Sequence, residues 1–154
     1  MGSSGIACGG FDFCIMKQMA HKILVVDDEE NIRLILQQVF SEYSVLTAMD
    51  GETALHLITT ERPSVVLLDM KMPLMGGLGV LAGLKALPYR PLVFMLTGES
   101  DLDMAVETLK MGASGYVTKP FNVERLKAMV ISALAGREEN QKISEKPWKV
   151  KKKD

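Results

Sequence analysis

The stretch Ile23-Leu24-Val25-Val26-Asp27-Asp28-Glu29-Glu30 decides how this chain folds. Four consecutive apolar residues suit a strand buried on both faces, and they stop at a run of four acids. After the acids, Ile32, Ile35, Leu36, Val39 and Phe40 recur at i, i+3, i+4, i+7 and i+8, the spacing of an amphipathic helix. A strand that is apolar on both sides needs cover on both sides, and strand-helix units supply it.

The same unit repeats outward from there. Short apolar runs fall at residues 23–26, 45–48, 65–68, 92–96 and 115–118, each followed by helical spacing. Leu102, Ala105, Val106 and Leu109 form one such set, and Leu126, Met129, Val130, Ala133 and Leu134 another. The second helix is short, with Ala54, Leu55 and Ile58 behind an Asp50 cap. The third, over 77–87, contains Gly79 and Gly83, each about 1 kcal/mol worse than alanine, so it is expected to be weak. The fold class is therefore α/β: a doubly wound, five-stranded parallel sheet of (βα)5 type. Such sheets place their chemistry at the carboxyl ends of the strands.

Composition narrows the function. The chain has 154 residues, enough for one domain, with 18 basic and 19 acidic residues and a formal net charge of −1. That balance argues against whole-molecule attraction to nucleic acid or anionic lipid. The chain is 47% apolar and 24% charged, as in a globular protein. No apolar run approaches the ~20 residues of a membrane helix. Cys8 and Cys14 both precede the first strand and have no partners at zinc spacing. The expectation is a cytoplasmic protein.

The strand ends carry the chemistry. Strand one ends in Asp27-Asp28-Glu29-Glu30, strand three at Asp69, strand four at Thr97, and strand five at Lys119-Pro120. Clustered carboxylates repel, and a hard divalent cation resolves the repulsion; a few carboxylates with a backbone carbonyl and waters suit Mg²⁺. Lys119 adds a positive charge and Thr97 a hydroxyl donor. These parts fit phosphoryl transfer to a carboxylate, with Asp69 as nucleophile. A nucleotide fold would need a glycine-rich first loop, and this one is acidic. There is no Gly-x-Ser-x-Gly elbow, and His21 and His56 read as surface residues.

With those residues in place, the sequence resembles the receiver domain of bacterial response regulators. The matching segments are Ile-Leu-Val-Val-Asp-Asp-Glu (23–29), Leu-Leu-Asp-Met-Lys-Met-Pro-Leu-Met-Gly-Gly (67–77), Leu-Thr-Gly-Glu (96–99) and Gly-Ala-Ser-Gly-Tyr-Val-Thr-Lys-Pro-Phe (112–121). The resemblance implies a flavodoxin-like sheet of strand order 2-1-3-4-5. It implies that Asp69 accepts a phosphoryl group from a sensor histidine kinase or histidine phosphotransfer protein. It further implies that Asp28, Asp69 and the Lys71 backbone carbonyl ligate Mg²⁺, with Asp27 acting through water. Thr97 and Lys119 would bind phosphoryl oxygens, Tyr116 would rotate inward behind the threonine, and the Lys119–Pro120 bond would be cis. Lys71 and Glu99 stand where the family modulates phosphoryl lifetime, and their opposite charges suggest a pair across the pocket. Where the family commonly has aspartate before the glycine, this chain has Gly76.

The implied output is a switched face made by the fourth helix, fifth strand and fifth helix. Tyr116 belongs to that face, with Met104, Thr108 and Met111 nearby. Through it the chain would meet a downstream protein, an output domain or a second copy in a phosphorylation-dependent homodimer, without touching DNA or membrane itself. Two alternatives stand beside this reading. One is a receiver excised from a longer DNA-binding or catalytic-output regulator or hybrid kinase. The other is a pseudo-receiver interaction module that is never phosphorylated. In neither case is turnover enzymology expected beyond self-catalysed phosphorylation and dephosphorylation.

The ends differ from the middle. Residues 1–18 read as a disordered or vector-derived extension, 19–140 as the receiver domain, and 141–154 as a basic tail or linker stub. From Arg137 to Asp154 seven basic residues face four acids, so this segment is +3 and the remainder −4. Trp148 lies in that tail beside Pro147.

Overall fold

The computed structural model describes residues 21–145, and the backbone alone for Glu99 and for residues 138–145. The extension expected over 1–18 and Trp148 lie outside the described residues. The elements alternate along the chain: β1 (Lys22–Val26), α1 (Glu30–Val39), β2 (Ser44–Ala48), α2 (Gly51–Glu61), β3 (Val65–Asp69) and α3 (Gly77–Leu84). Then follow β4 (Leu92–Thr97), a 3-10 turn (Glu99–Asp101), α4 (Leu102–Lys110), β5 (Gly115–Thr118) and α5 (Val123–Glu145). The chain divides into two compact units, one ending at Phe121 and one beginning at Asn122.

The first unit holds the sheet, which is parallel throughout and ordered β2-β1-β3-β4-β5. The sequence implied this flavodoxin-like topology. Every residue of β3 is buried, as are Ile23 to Val26 of β1, so the central strands are apolar because both their faces are covered. Strand order reverses between β1 and β3, and the Val26–Leu68 and Asp69–Leu96 pairings bring the carboxyl ends of three strands level.

Local signals explain the helices in part. Asp50 caps α2, its Oδ1 accepting the Thr53 N–H at 2.7 Å. The third helix is short, ending at Leu84, and no side chain caps it at Gly76. Gly77 opens it because nothing larger fits: a Cβ there would lie 2.6 Å from the Asp69 carbonyl oxygen and 2.9 Å from Met95 Cε.

Two helical faces differ from the expected ones. In α1 only Leu36 is fully buried, with Phe40 buried just past its end, and Ile35 is 44% exposed. In α4 Ala105 and Thr108 are buried, whereas Leu102, Val106 and Leu109 are exposed. Each helix meets its neighbours along a meridian narrower than its apolar face, so spacing alone overstates what is covered. The second unit is α5, where the Asn122 side chain accepts the Arg125 N–H at 3.0 Å and Leu126, Val130 and Leu134 form a buried row.

Candidate functional site

The site grows from residues that end strands or directly follow them. Asp27 follows β1, Asp69 ends β3, Thr97 ends β4, and Lys119 is the first residue past β5. Because the strands are parallel and level, all four reach one rim. The Lys119 Nζ lies 2.8 Å from Asp27 Oδ2 and 3.2 Å from Asp69 Oδ1, with Glu29 Oε1 at 3.8 Å. The Lys119–Pro120 peptide bond is cis.

Asp27 is wholly buried and fully engaged. Its Oδ1 accepts the Glu29 N–H at 2.9 Å, and its carbonyl accepts Arg33 Nη1 at 2.7 Å. Burial and the neighbouring Asp27 charge push the Asp69 carboxyl up to about 6, against the opposing pull of Lys119. Burial works against the Lys119 ammonium as well, but its bonds to Asp27 and Asp69 outweigh that and raise its pKa. The cluster is thus short of positive charge around Asp69 even with the lysine in place.

One carboxylate oxygen from each of Asp27, Asp28 and Asp69 lies within 4.8 Å of the other two, with Asp28 exposed to solvent. Hard oxygen donors so grouped, on the solvent side of a buried like-charge pair, fit a divalent cation that keeps part of its water. Asp28, Asp69 and Lys71 line one open cleft, together with Glu29, Gly98, Asp101 and Lys119, while Asp27 is buried behind it.

Thr97 is buried at the end of β4, beside Gly98 of the cleft lining. Its hydroxyl donates to the Gly98 carbonyl at 3.2 Å, with the Asp101 carbonyl at 3.5 Å. Tyr116 is half-buried on β5, paired with Met95 and packed against the core. Thr108, counted with the outer face of the fourth helix, is instead buried and donates its hydroxyl to the Ala105 carbonyl; Met104 is exposed. His56 is exposed, and His21 meets Ser64 at the opposite end of the sheet.

Lys71 faces a charge across the cleft. Among the described side chains its carboxylate partner is Asp101, with Nζ 3.2 Å from Oδ1. Glu99, the expected partner, has a side chain outside the described set. Asp101 and Arg33 were both missed by sequence reasoning. Arg33 sits one turn into α1, which an i+4 reading from Glu29 would have noticed. For Asp101 the signal is weaker, since three acids (Glu99, Asp101 and Asp103) alternate there and only the 3-10 turn selects one.

Fold and rim together define a phosphorelay-type signalling module. The model of the response regulator receiver domain matches residues 23–131, and the chain belongs to that family. It is 39% identical over 114 residues to sporulation initiation phosphotransferase F of Bacillus subtilis (strain 168), covering 73% of this chain and 92% of that protein. It is 40% identical over 116 residues to regulatory protein AtoC of Escherichia coli (strain K12), covering 74% of this chain but 25% of that protein. The chain therefore spans nearly all of one relative and a quarter of another. The solved receiver domain of NtrX from Brucella abortus superposes with a TM-score of 0.69 at 32% identity, covering 73% of this chain and 98% of that one. Receiver domains serve two-component signalling, where they meet histidine kinases and downstream output domains. Among the described residues no helix is long and apolar enough to cross a membrane.

Proposed function

We propose that this chain is a phospho-accepting receiver in which Asp69 takes a phosphoryl group from a histidine kinase or phosphotransfer protein. The observation that carries the reading is the Lys119 ammonium held between Asp27 and Asp69 within a cluster of three carboxylates. With its pKa near 6, Asp69 is roughly nine-tenths ionised at pH 7 and available as a nucleophile. An Asp69 carboxylate oxygen attacks the phosphorus of the donor phosphohistidine. The P–N bond breaks, and its electron pair stays on the imidazole.

Each remaining residue has a part in that step. The Lys119 ammonium has three donors, so it keeps Asp27 while turning one N–H to a phosphoryl oxygen. The Thr97 hydroxyl leaves the Gly98 carbonyl for a second oxygen, and half-buried Tyr116 moves inward behind it. Asp28, Asp69 and the Lys71 carbonyl would hold Mg²⁺ directly, with Asp27 acting through water; bound there, the ion supplies positive charge to the phosphoryl oxygens. The chain is a switch without turnover, since its nucleophile is itself the product.

The exposed row Leu102, Val106 and Leu109, with Met104, gives α4 an apolar surface suited to a partner that reads the switch together with β5. The reading places residues 19–140 as the receiver and its site of action in the cytoplasm. The partner is a downstream protein, an output domain or a second copy.

Intact mass after incubation with Mg²⁺ and acetyl phosphate tests the central claim. One phosphoryl adduct is expected on the wild type and none on Asp69→Asn. An unmodified wild type that also fails to bind Mg²⁺ would make the pseudo-receiver reading the better one.

A further inference from the structure

Asp101 stands at the N-cap position of α4, where an aspartate ordinarily accepts an N–H of its own helix. It makes no such bond. Its side chain is only 15% exposed and turns instead toward the cleft, where Oδ1 meets the Lys71 Nζ at 3.2 Å. The pair joins the loop after β3 to the turn after β4, and both residues line the cleft that holds Asp69. The Asp101 backbone is tied to the end of β4, with its N–H donating to the carbonyl of Gly98, which lines the same cleft, at 3.0 Å and its carbonyl 3.5 Å from the Thr97 hydroxyl.

We infer that Asp101 is a positioning residue that holds the Lys71 side chain across the cleft mouth and so lengthens the life of the aspartyl phosphate. The inference rests on the phospho-acceptor reading of Asp69. In the reaction it opposes, a water oxygen bonds to phosphorus as the bond to the Asp69 oxygen breaks. The electron pair returns to the carboxylate, and the water proton passes to solvent. That attack comes from the open side of the cleft, where a lysine stem held by Asp101 takes up the space water needs. The Lys71 side chain is 75% exposed, and among the described side chains Asp101 is the carboxylate that holds it. Loss of the turn-to-loop bridge leaves the phosphoryl group in place and opens the approach to it.

The test is the decay of the adduct, followed by intact mass after removal of acetyl phosphate, for wild type, Asp101→Asn, Lys71→Met and the double variant. Exposed ion pairs are weak, so each single variant should lose the phosphoryl group roughly two- to fivefold faster. The double variant should decay no faster than Lys71→Met alone, because both substitutions remove one bridge. Raising salt to about 1 M should speed the wild type toward the variants and leave them unmoved. An adduct that decays equally fast in wild type and Asp101→Asn would overturn the role of Asp101 alone. Effects that multiply in the double variant would assign Asp101 a separate structural role. A wild type that takes no phosphoryl group would overturn the underlying reading as well.

Discussion

Asp69 sits in an environment that disfavours its own charge. Buried beside Asp27, its carboxyl is raised to about 6, so the folded protein holds a proton there that the unfolded chain releases near pH 4. This group's contribution to stability is therefore complete below about pH 4 and is lost as pH rises through 6. In metal-free buffer, Asp69→Asn should be more stable than wild type at pH 7.5 by roughly 1–3 kcal/mol, with the gap closing as pH falls toward 4. Urea titrations at several pH values in EDTA measure that gap. A gap of constant size, or of opposite sign, would remove the like-charge account. The residues of this cluster were legible in the sequence because each ends or follows a strand. The Lys71–Asp101 bridge was not, because its geometry depends on two loops meeting across the cleft.

Among the elements, α3 begins at a residue that tolerates no side chain. Gly77 opens that helix against the Asp69 carbonyl and Met95, with no room for a methyl group. Gly77→Ala should destabilise the protein by roughly 1–3 kcal/mol through overpacking. Because the displaced atom belongs to Asp69, phosphorylation by acetyl phosphate should also slow, by about tenfold or more. Unfolding midpoints and adduct-formation rates check the two effects separately. Normal phosphorylation in the variant would mean the neighbouring strand end yields without moving the nucleophile. The Asp50 cap of α2 was readable from sequence because it is local to four residues. The exposure of Ile35, Leu102, Val106 and Leu109 was not, because apolar spacing says that a face is greasy and leaves open how much of it is covered.

At the scale of the whole molecule, the sheet brings three carboxylates together against one lysine, an imbalance that a bound divalent cation would relieve. A ligand that binds the folded state alone stabilises it by RT ln(1 + [L]/Kd), about 1.4 kcal/mol at ten times Kd. Mg²⁺ at that concentration should raise the urea midpoint of the wild type, and EDTA should reverse the shift. Asp28→Asn should blunt the response, because it removes the most exposed of the three acids. An equal response in that variant would place the ion elsewhere. Strand number, parallel direction and the crevice at the strand ends all followed from alternation of buried runs with helical spacing. The strand order did not; it rested on the family resemblance, because each strand is apolar enough to sit beside any other.

Lys119 bonds to Asp69 across 50 residues of chain and to Asp27 across 92. A ribosome adding ~5–20 residues per second makes Asp69 several seconds before the lysine that completes its pocket. Throughout that interval a nascent chain carries Asp69 without its cationic partner, and without the fifth strand that sets that partner in place. On the proposed phospho-acceptor reading, phosphoryl transfer is thereby withheld from unfinished chains, since the lysine that would bind the phosphoryl group is among the last of the sheet to be synthesised.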